Sequence, residues 1–334
     1  MKSLELIKSA LAAKRLLVIG GLNVDQHLRV EEQPVDDGSA RISEYEVGFG
    51  GHAGNCAVQL ARLGVNVFVL GAVGEDADGA ALLADLEYSG VNTSLVSRLA
   101  GHHTGRVVIP SFPDRRYMLM YRGANDNIGV DLVQEVMGFD AVILFDPTIQ
   151  FADELFAFLS GRGGKPTLYW NPGGLLANSP WTRTRMGCAD VVIMNRVETR
   201  AACDGPVAGP LLERLSEQRP GFRLIETLGR GGARLHAAGR TIDAGSYEAQ
   251  VVDETGAGDA FTAAFAAFDS IDFAECSSLK LANAAGACAV EALGARTALP
   301  DLARLIDRWD LFTEVTEVSA APLLRETSVQ VGAL

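Results

Sequence analysis

Apolar residues along this chain follow two different rhythms. Arg15–Gly21 (RLLVIGG) is a short apolar run closed by two glycines, the pattern of a buried parallel strand entering a tight turn. Ahead of it, Leu4, Ile7 and Leu11 recur at helical spacing and predict a short leading helix. Gln26–Glu32 and Arg41–Val47 alternate with period two around Pro34–Gly38, as half-buried antiparallel strands do. A second period-two pair, Thr104–Ile109 and Arg116–Tyr121, flanks the hairpin signal Pro113–Arg116.

Elsewhere strands and helices alternate. Strands are predicted at Asn66–Ala72, Ala141–Phe145, Thr167–Trp170, Val191–Met194 and Arg223–Thr227. Helices are predicted at His52–Leu63, Gly79–Tyr88 with Gly90 as its stop, Ala152–Leu159, Val197–Cys203 and Gly209–Glu217. Three more follow at Ala257–Phe268, Phe273–Ala292 and Leu302–Trp309. This rhythm predicts an α/β fold: a doubly wound, mostly parallel sheet with helices on both faces. The two period-two pairs do not fit that sheet. They are expected to meet as a small β-sheet lid, drawn from about residues 26–48 and 103–122. Residues 1–312 then form one domain, and 313–334 are an extension to which the pattern assigns no role.

Composition narrows the function. Against 29 Lys and Arg stand 42 Asp and Glu, a net charge of −13, which argues against a nucleic-acid surface. A small anionic substrate is still allowed, because a site can be locally positive. No apolar stretch is long enough to span a membrane. Met1–Lys14 is interrupted by charges, unlike an export signal, and the five cysteines form no C-x-x-C pair. Reduced, mostly buried thiols in a cytoplasmic protein are expected.

Four clusters can carry chemistry. Asp253-Glu-Thr-Gly-Ala-Gly-Asp259 opens an apolar helix. Gly256, Ala257 and Gly258 would let backbone N–H groups approach an anion at the positive helix end. Asp259 beside them suits a base that takes a proton from an attacking hydroxyl. Read blandly, the same run is a glycine turn with an acidic residue at a helix start. Gly50-Gly-His-Ala-Gly-Asn55 opens another helix, with Asn55 available to a polar ligand. Gly48–Ala53 also matches G-x-G-x-x-A, but its preceding segment is polar-alternating rather than a buried strand, which argues against a dinucleotide site. Asn23 and Asp25 follow the first strand, where open α/β sheets bind ligands, and read equally as an Asx-type turn. Asn195 and Glu198 can order water around Mg²⁺ or form a capping box, and the two roles are compatible. There is no Walker-type G-x-x-x-x-G-K-[ST], no H-E-x-x-H and no G-x-S-x-G, and the five histidines are scattered.

In order, G-x-N-x-D, G-G-x-x-x-N, N-x-x-E, Thr227-Leu-Gly229 and D-E-T-G-A-G-D resemble the ribokinase-like (PfkB) carbohydrate kinase family from about Leu16 to Trp309. The resemblance implies an ATP-dependent kinase acting on a primary hydroxyl of a small sugar. Asp259 would be its base and Gly256, Ala257 and Gly258 its anion hole. It further implies that Asn23, Asp25, Gly51, His52, Asn55 and Asp146 hold the sugar. Asn195 and Glu198 would act on phosphate and hydrated Mg²⁺. Thr227, Gly229 and Asn283 would line the nucleotide. Asp253 and the Thr255 carbonyl would hold a monovalent cation, K⁺. Lids that pair would make a homodimer. At His52, ribokinases commonly carry Lys, so the resemblance is to the family more than to ribokinase itself. A nucleoside kinase on the same scaffold would need apolar lid surface, for which Phe49, Met118, Met120 and Tyr121 are available. Arg122 can reach an anionic substrate or simply pair with Asp126. A sugar sensor without catalysis would have lost Asp259 or the glycines, and both are intact.

Overall fold

The apolar run after Arg15 becomes a strand because both its faces are covered. The computed structural model describes residues 2–313 apart from 162, 204, 206, 208 and 238. The first half contains Lys2–Ala12 (α1), Arg15–Ile19 (β1), Asn23–Val30 (β2), Ile42–Gly50 (β3), His52–Arg62 (α2), Asn66–Gly74 (β4), Ala77–Tyr88 (α3), Asn92–Leu99 (β5), Gly105–Ser111 (β6) and Leu119–Tyr121 (β7). Two 3₁₀ stretches lead to Ala141–Phe145 (β8), Ile149–Leu159 (α4), Thr167–Asn171 (β9), Gly173–Ala177 (α5), Pro180–Arg185 (α6), Val191–Asn195 (β10), Arg196–Ala202 (α7) and Gly209–Gln218 (α8). Arg223–Thr227 (β11), Ala233–Ala237 (β12), Arg240–Ala244 (β13), Ala257–Ser270 (α9), Glu275–Ala289 (α10) and Leu302–Thr313 (α11) follow.

Nine strands form one sheet in the order β13-β12-β11-β10-β9-β8-β1-β4-β5. All pairs from β11 to β5 are parallel, and the β11-β12-β13 edge is antiparallel. Alternation in β1 splits the core. Leu16 and Val18 pack with α2, α9 and α10, while Leu17 and Ile19 pack with Phe151, Leu155 and Phe156 of α4. Each fully buried side chain of this size contributes roughly 1.5–3 kcal/mol. The strand order turns back at β1, so a crevice opens where β1 and β8 end, at Gly20 and Asp146.

The two period-two pairs do join, as a separate sheet in the order β3-β2-β6-β7. β2 pairs antiparallel with β3 and parallel with β6, Asn23 opposite Gly105. The strands span 23–50 and 105–121, so the first arm reaches closer to the crevice than the alternation indicated. Gly48–Ala53 follows from this small sheet and not from a buried parallel strand, which removes the dinucleotide reading.

Several elements differ from expectation. The β12–β13 hairpin and β5 were not anticipated, because all three are edge or near-edge strands with few apolar residues. The second arm pairs regularly only from Leu119, after an isolated bridge between Ser111 and Arg116. Of the five cysteines, expected to be mostly buried, Cys56 and Cys288 are buried and Cys276 is exposed. Among the described residues no helix is long and apolar enough to cross a membrane. The expected extension lies, from residue 314 on, outside the described residues.

Asp76 ties the small sheet to the main one. It caps α3, its Oδ1 accepting from the Gly79 N–H (2.8 Å) and the Thr104 hydroxyl (2.6 Å), while Oδ2 accepts from the Thr104 N–H (2.9 Å). Burial works to raise its carboxyl, but the hydrogen bonds from Thr104 and Gly79 outweigh it and hold the pKa below the ordinary 3.8. Its stabilisation is therefore present above that ordinary value and is lost as pH falls through the lowered native one. We expect Asp76→Ala to cost about 1–2 kcal/mol, read as a lower urea midpoint at neutral pH. A variant as stable as the parent would remove Asp76 from this role.

Candidate active site

The crevice collects side chains from four segments. Asp259 sits in the first turn of α9 and is only 4% exposed. Its Oδ2 accepts from Asn55 Nδ2 at 2.8 Å, and its Oδ1 lies 2.7 Å from His52 Nδ1. The other ring nitrogen, Nε2, lies 3.2 Å from Asp146 Oδ2. The imidazole thus stands between two carboxylates, stacked on Phe145 with ring centroids 5.8 Å apart. Asp259 first, and then Asp146, raise the His52 pKa well above 6.5 against the opposing pull of burial. A protonated ring donates from both nitrogens. The ring stays 54% exposed, so solvent weakens but does not reverse this.

Asp146 reaches His52 from a strained backbone, with φ at 37°. The turn that follows β9 makes room for it. A Cβ at Gly173 would lie 1.5 Å from Asp146 Oδ1. Burial raises the Asp146 carboxyl, and His52 and Arg122 pull it back. Arg122 pairs with Asp126 at 2.5 Å and also donates to the Asp146 carbonyl at 3.2 Å.

Asn23 and Asp25 enter from β2. Asp25 is buried, and its Oδ1 has no hydrogen-bond partner. Burial raises its pKa to about 6, with Arg296 opposing the rise. Gly50 leaves space for this carboxylate, since a Cβ there would meet Oδ2 at 2.0 Å. Gly51 turns the chain at φ 85°, close against the Gly21 carbonyl, and so starts α2 at the crevice. Asn23 Oδ1 is held by Asn125 Nδ2 at 2.8 Å, and Asn125 also grips the Leu22 backbone through both its N–H and its carbonyl.

Past Asp259, α9 begins at Gly256 with φ 81° and no side-chain cap. The first bond of the helix runs from the Ala260 N–H to the Gly256 carbonyl (2.9 Å), so the N–H groups before it are left to other partners. Only a long contact, 3.4 Å, takes the Ala257 N–H to the Glu254 carbonyl. Gly256 packs where a Cβ would meet the Ala295 carbonyl at 2.7 Å, whereas a Cβ at Gly258 would meet nothing within 4 Å. That open space is a cavity of 1070 Å³ lined by Ala257, Gly258, Asn195, Thr227, Gly229 and Asn283. Asn283 also donates to the Ala244 and Gly245 carbonyls, both at 3.0 Å, tying down the end of β13. Asn195 and Glu198 form the full capping box of α7. Burial raises the Glu198 carboxyl, with the Asn195 hydrogen bond and His52 opposing, and Glu198 is not among the residues that line the cavity.

The expected site residues therefore fall into three connected groups. Asn23, Asp25, Gly51, His52, Asn55, Asp146 and Asp259 share the crevice. Asn195, Thr227, Gly229 and Asn283 surround the cavity, and Gly256–Gly258 divide the two. Three residues that the motifs did not flag complete the arrangement. Arg296, 11% exposed in its side chain, donates to Asn55 Oδ1 (3.0 Å), the Gly50 carbonyl (2.9 Å) and Asp85 (2.6 Å). It fixes which way the Asn55 amide points, so that Nδ2 faces Asp259. Asn125 does the same for Asn23. Arg116, from the second arm of the small sheet, reaches Asp253 and Thr255. All three follow glycine-rich or hairpin sequence, and nothing local marks their distant partners.

Metal chemistry fits unequally. Among the described residues, no three His, Cys, Asp or Glu side chains converge on one point. Glu198, in the first turn of α7, is the residue that would order water around Mg²⁺. A monovalent cation at Asp253 and Thr255 fits this arrangement less well. Asp253 Oδ1 already accepts from the Thr255 N–H (3.0 Å), the Thr255 hydroxyl (2.7 Å) and Arg116 Nη1 (2.9 Å), while Oδ2 accepts from the Gly294 N–H (3.0 Å). The charge that would attract K⁺ is already met by a guanidinium.

Comparison with known proteins agrees with this geometry. The family model described as pfkB family carbohydrate kinase matches residues 13–144 and 178–302. An ATP-dependent ribose-1-phosphate kinase of Halopiger xanaduensis is 29% identical over 85% of this chain and 94% of its own. A ribokinase of Bacillus subtilis is 26% identical over 86% of this chain and 96% of its own. The solved ribokinase of Thermotoga maritima shares the fold at a TM-score of 0.79 and 21% identity, covering 89% of this chain and 99% of that one. The nucleoside kinase of Burkholderia thailandensis, solved with inosine, does so at 0.79 and 22%, covering 89% of this chain and 98% of that one. With the family model matching well over half of its length, including the glycine-opened helix, this chain belongs to the PfkB family of carbohydrate kinases.

Proposed function

We propose that the chain transfers the γ-phosphoryl group of ATP to a primary hydroxyl of a small ribose-like pentose or hexose. One observation carries the reading. Asp259 lies buried at the open end of α9, between the nucleotide-sized cavity and a crevice where Asp25 leaves a buried oxygen without a donor. A polyol hydroxyl supplies that donor. Asn23, held by Asn125, and Asn55 fix the remaining hydroxyls.

Asp259 takes the proton of the reacting hydroxyl as its oxygen attacks phosphorus. The new O–P bond forms as the bond to the β-phosphate oxygen breaks, and ADP leaves. Both Asp259 oxygens carry a hydrogen bond, and each retains a second lone pair for this proton. The N–H groups of Gly256–Gly258 take up the charge on the transferred group, where positioning and electrostatics do most of the work. Glu198 orders water around the Mg²⁺ that accompanies the phosphates. Thr227, Gly229 and Asn283 line the nucleotide, and the small sheet closes over the sugar as a lid that excludes water.

A nucleoside is the second reading, since Met118, Leu119, Met120 and Tyr121 leave an apolar row more than half exposed on the second arm. The exposed Ile42, Tyr45 and Val47 on β3 likewise support pairing of two copies through the small sheets. The compartment we propose is the cytoplasm.

Four measurements test this reading. ADP release with Mg-ATP across pentoses, hexoses, sugar phosphates and nucleosides should give one strong acceptor. Asp259→Asn should lower kcat on it by about 10²–10⁴-fold while ATP binding is kept. Near-normal turnover would exclude Asp259 as the base. Gly258→Val fills open space rather than a packed contact, so it should weaken ATP binding without loss of folding. Unchanged ATP affinity would refute the anion hole. The acid limb of kcat/KM should fall near pH 6, as Asp25 gains a proton and stops accepting from the sugar. Arg296→Met removes the charge that holds Asp25 down, so this limb should move to higher pH, with kcat falling about ten-fold and KM for ATP unchanged. An unmoved limb would make Arg296 merely structural.

A further inference from the structure

The loop ahead of α9 holds a charge pair that spans the two sheets. Arg116 belongs to the small sheet, where it bridges Ser111 across the hairpin. Its guanidinium donates to Asp253 Oδ1 at 2.9 Å and to the Thr255 hydroxyl at 3.1 Å. The Asp253 side chain is 1% exposed and that of Arg116 is 37% exposed, so the acid is sealed in while the base arrives from the surface. Asp253 also gathers the Thr255 N–H and hydroxyl and the Gly294 N–H, and its own N–H reaches the Val290 carbonyl. These bonds fix Thr255, and with it the left-handed Gly256 that opens α9.

A buried carboxylate needs a compensating charge, and without one the loop would strain or take up a proton. A bound K⁺ is one source of that charge, and Arg116 is another. The two differ in one respect. A free ion comes from solution whatever the position of the small sheet, whereas Arg116 reaches Asp253 only when the second arm lies over the crevice.

We propose that Arg116 supplies the positive charge at the Asp253–Thr255 loop in place of a monovalent cation, so that the chain works without added K⁺ and the anion hole is set when the small sheet seats. The functional half of this inference rests on the kinase reading, and the structural half does not. The guanidinium adds positive potential behind Gly256–Gly258, and its two hydrogen bonds make the loop geometry depend on the arm. Binding a sugar beneath the arm would then favour the loop conformation that phosphoryl transfer needs, since both require the same seated state.

The test uses the full chain, Arg116→Ala and Arg116→Lys in potassium, sodium and choline chloride at one ionic strength. Thermal melting without substrate is read alongside ADP release with Mg-ATP and the best acceptor. The parent should melt alike in the three salts and turn over within about two-fold in each. Arg116→Ala should lose roughly ten- to a hundred-fold in turnover in choline, the loss expected for charge-assisted hydrogen bonds, and recover in K⁺. It should also gain a K⁺-specific rise in Tm that the parent lacks. Arg116→Lys keeps the charge and should stay indifferent to K⁺. A parent stimulated several-fold by K⁺ over choline would overturn the proposal. So would an Arg116→Ala variant that matches the parent, or one that is folded and slow in every salt. If no acceptor turns over in the parent, the kinase reading is what fails, and the K⁺-specific Tm shift in Arg116→Ala still decides whether Arg116 stands in for the cation.

Discussion

A buried carboxylate at the N-terminus of a helix is the constraint around which this molecule is arranged. Asp259 lies buried in the first turn of α9, where the N–H groups ahead of Ala260 have no partner within the helix. It must be correctly turned, and its neighbours serve that need. Asn55 and His52 each hold one oxygen, Arg296 and Asp146 hold those two in turn, and Asp85 holds Arg296. The chain of contacts links residues more than 200 positions apart. Asp25, buried beside it, keeps an Oδ1 without a hydrogen-bond partner.

The architecture supplies the room for this chain of contacts. Because strand order turns back at β1, the ends of β1 and β8 part and leave a crevice. The helices that follow β3 and precede α10 both aim their N-termini there. Glycine appears where backbone or carboxylate comes too close for a side chain: Gly50 against Asp25, Gly173 against Asp146, Gly256 against Ala295. Gly258 differs, because nothing crowds it. Its lack of a side chain keeps the cavity open and is not needed for packing.

Charge within the site is carried by the protein's own side chains. The chain has a net charge of −13, yet the crevice holds His52, Arg122 and Arg296 against Asp25, Asp146 and Asp259, and Arg116 meets Asp253 behind it. Acids and bases are interleaved there, so the crevice offers donors and acceptors in alternation. The two arginines that matter most here differ in origin. Arg296 lies in the main domain and is fixed, whereas Arg116 comes from the second arm and ties that arm to the loop that opens α9.

The α/β rhythm and the small second sheet were legible in the sequence because burial dictates them locally. A strand covered on both faces must be apolar throughout, as LLVI in β1 is, and a half-covered one must alternate, as β2 does. The glycine-opened helix with Asp259 was legible for the same reason, since a helix start that admits an anion requires small residues at fixed spacing. Strands at or next to an edge, such as β5, β12 and β13, carry little apolar pattern, and their existence depends on a neighbour that the local sequence does not name. Arg296, Asn125 and Arg116 were invisible for that reason too. An arginine looks the same in sequence whether it is solvated, grips an amide or replaces an ion, and only the folded chain decides which acid stands opposite it. The sequence by itself determined the layers, the helix starts and the acid–glycine chemistry. The tertiary structure decided which charges meet, because pairing across 137 to 246 residues is set by packing and not by spacing.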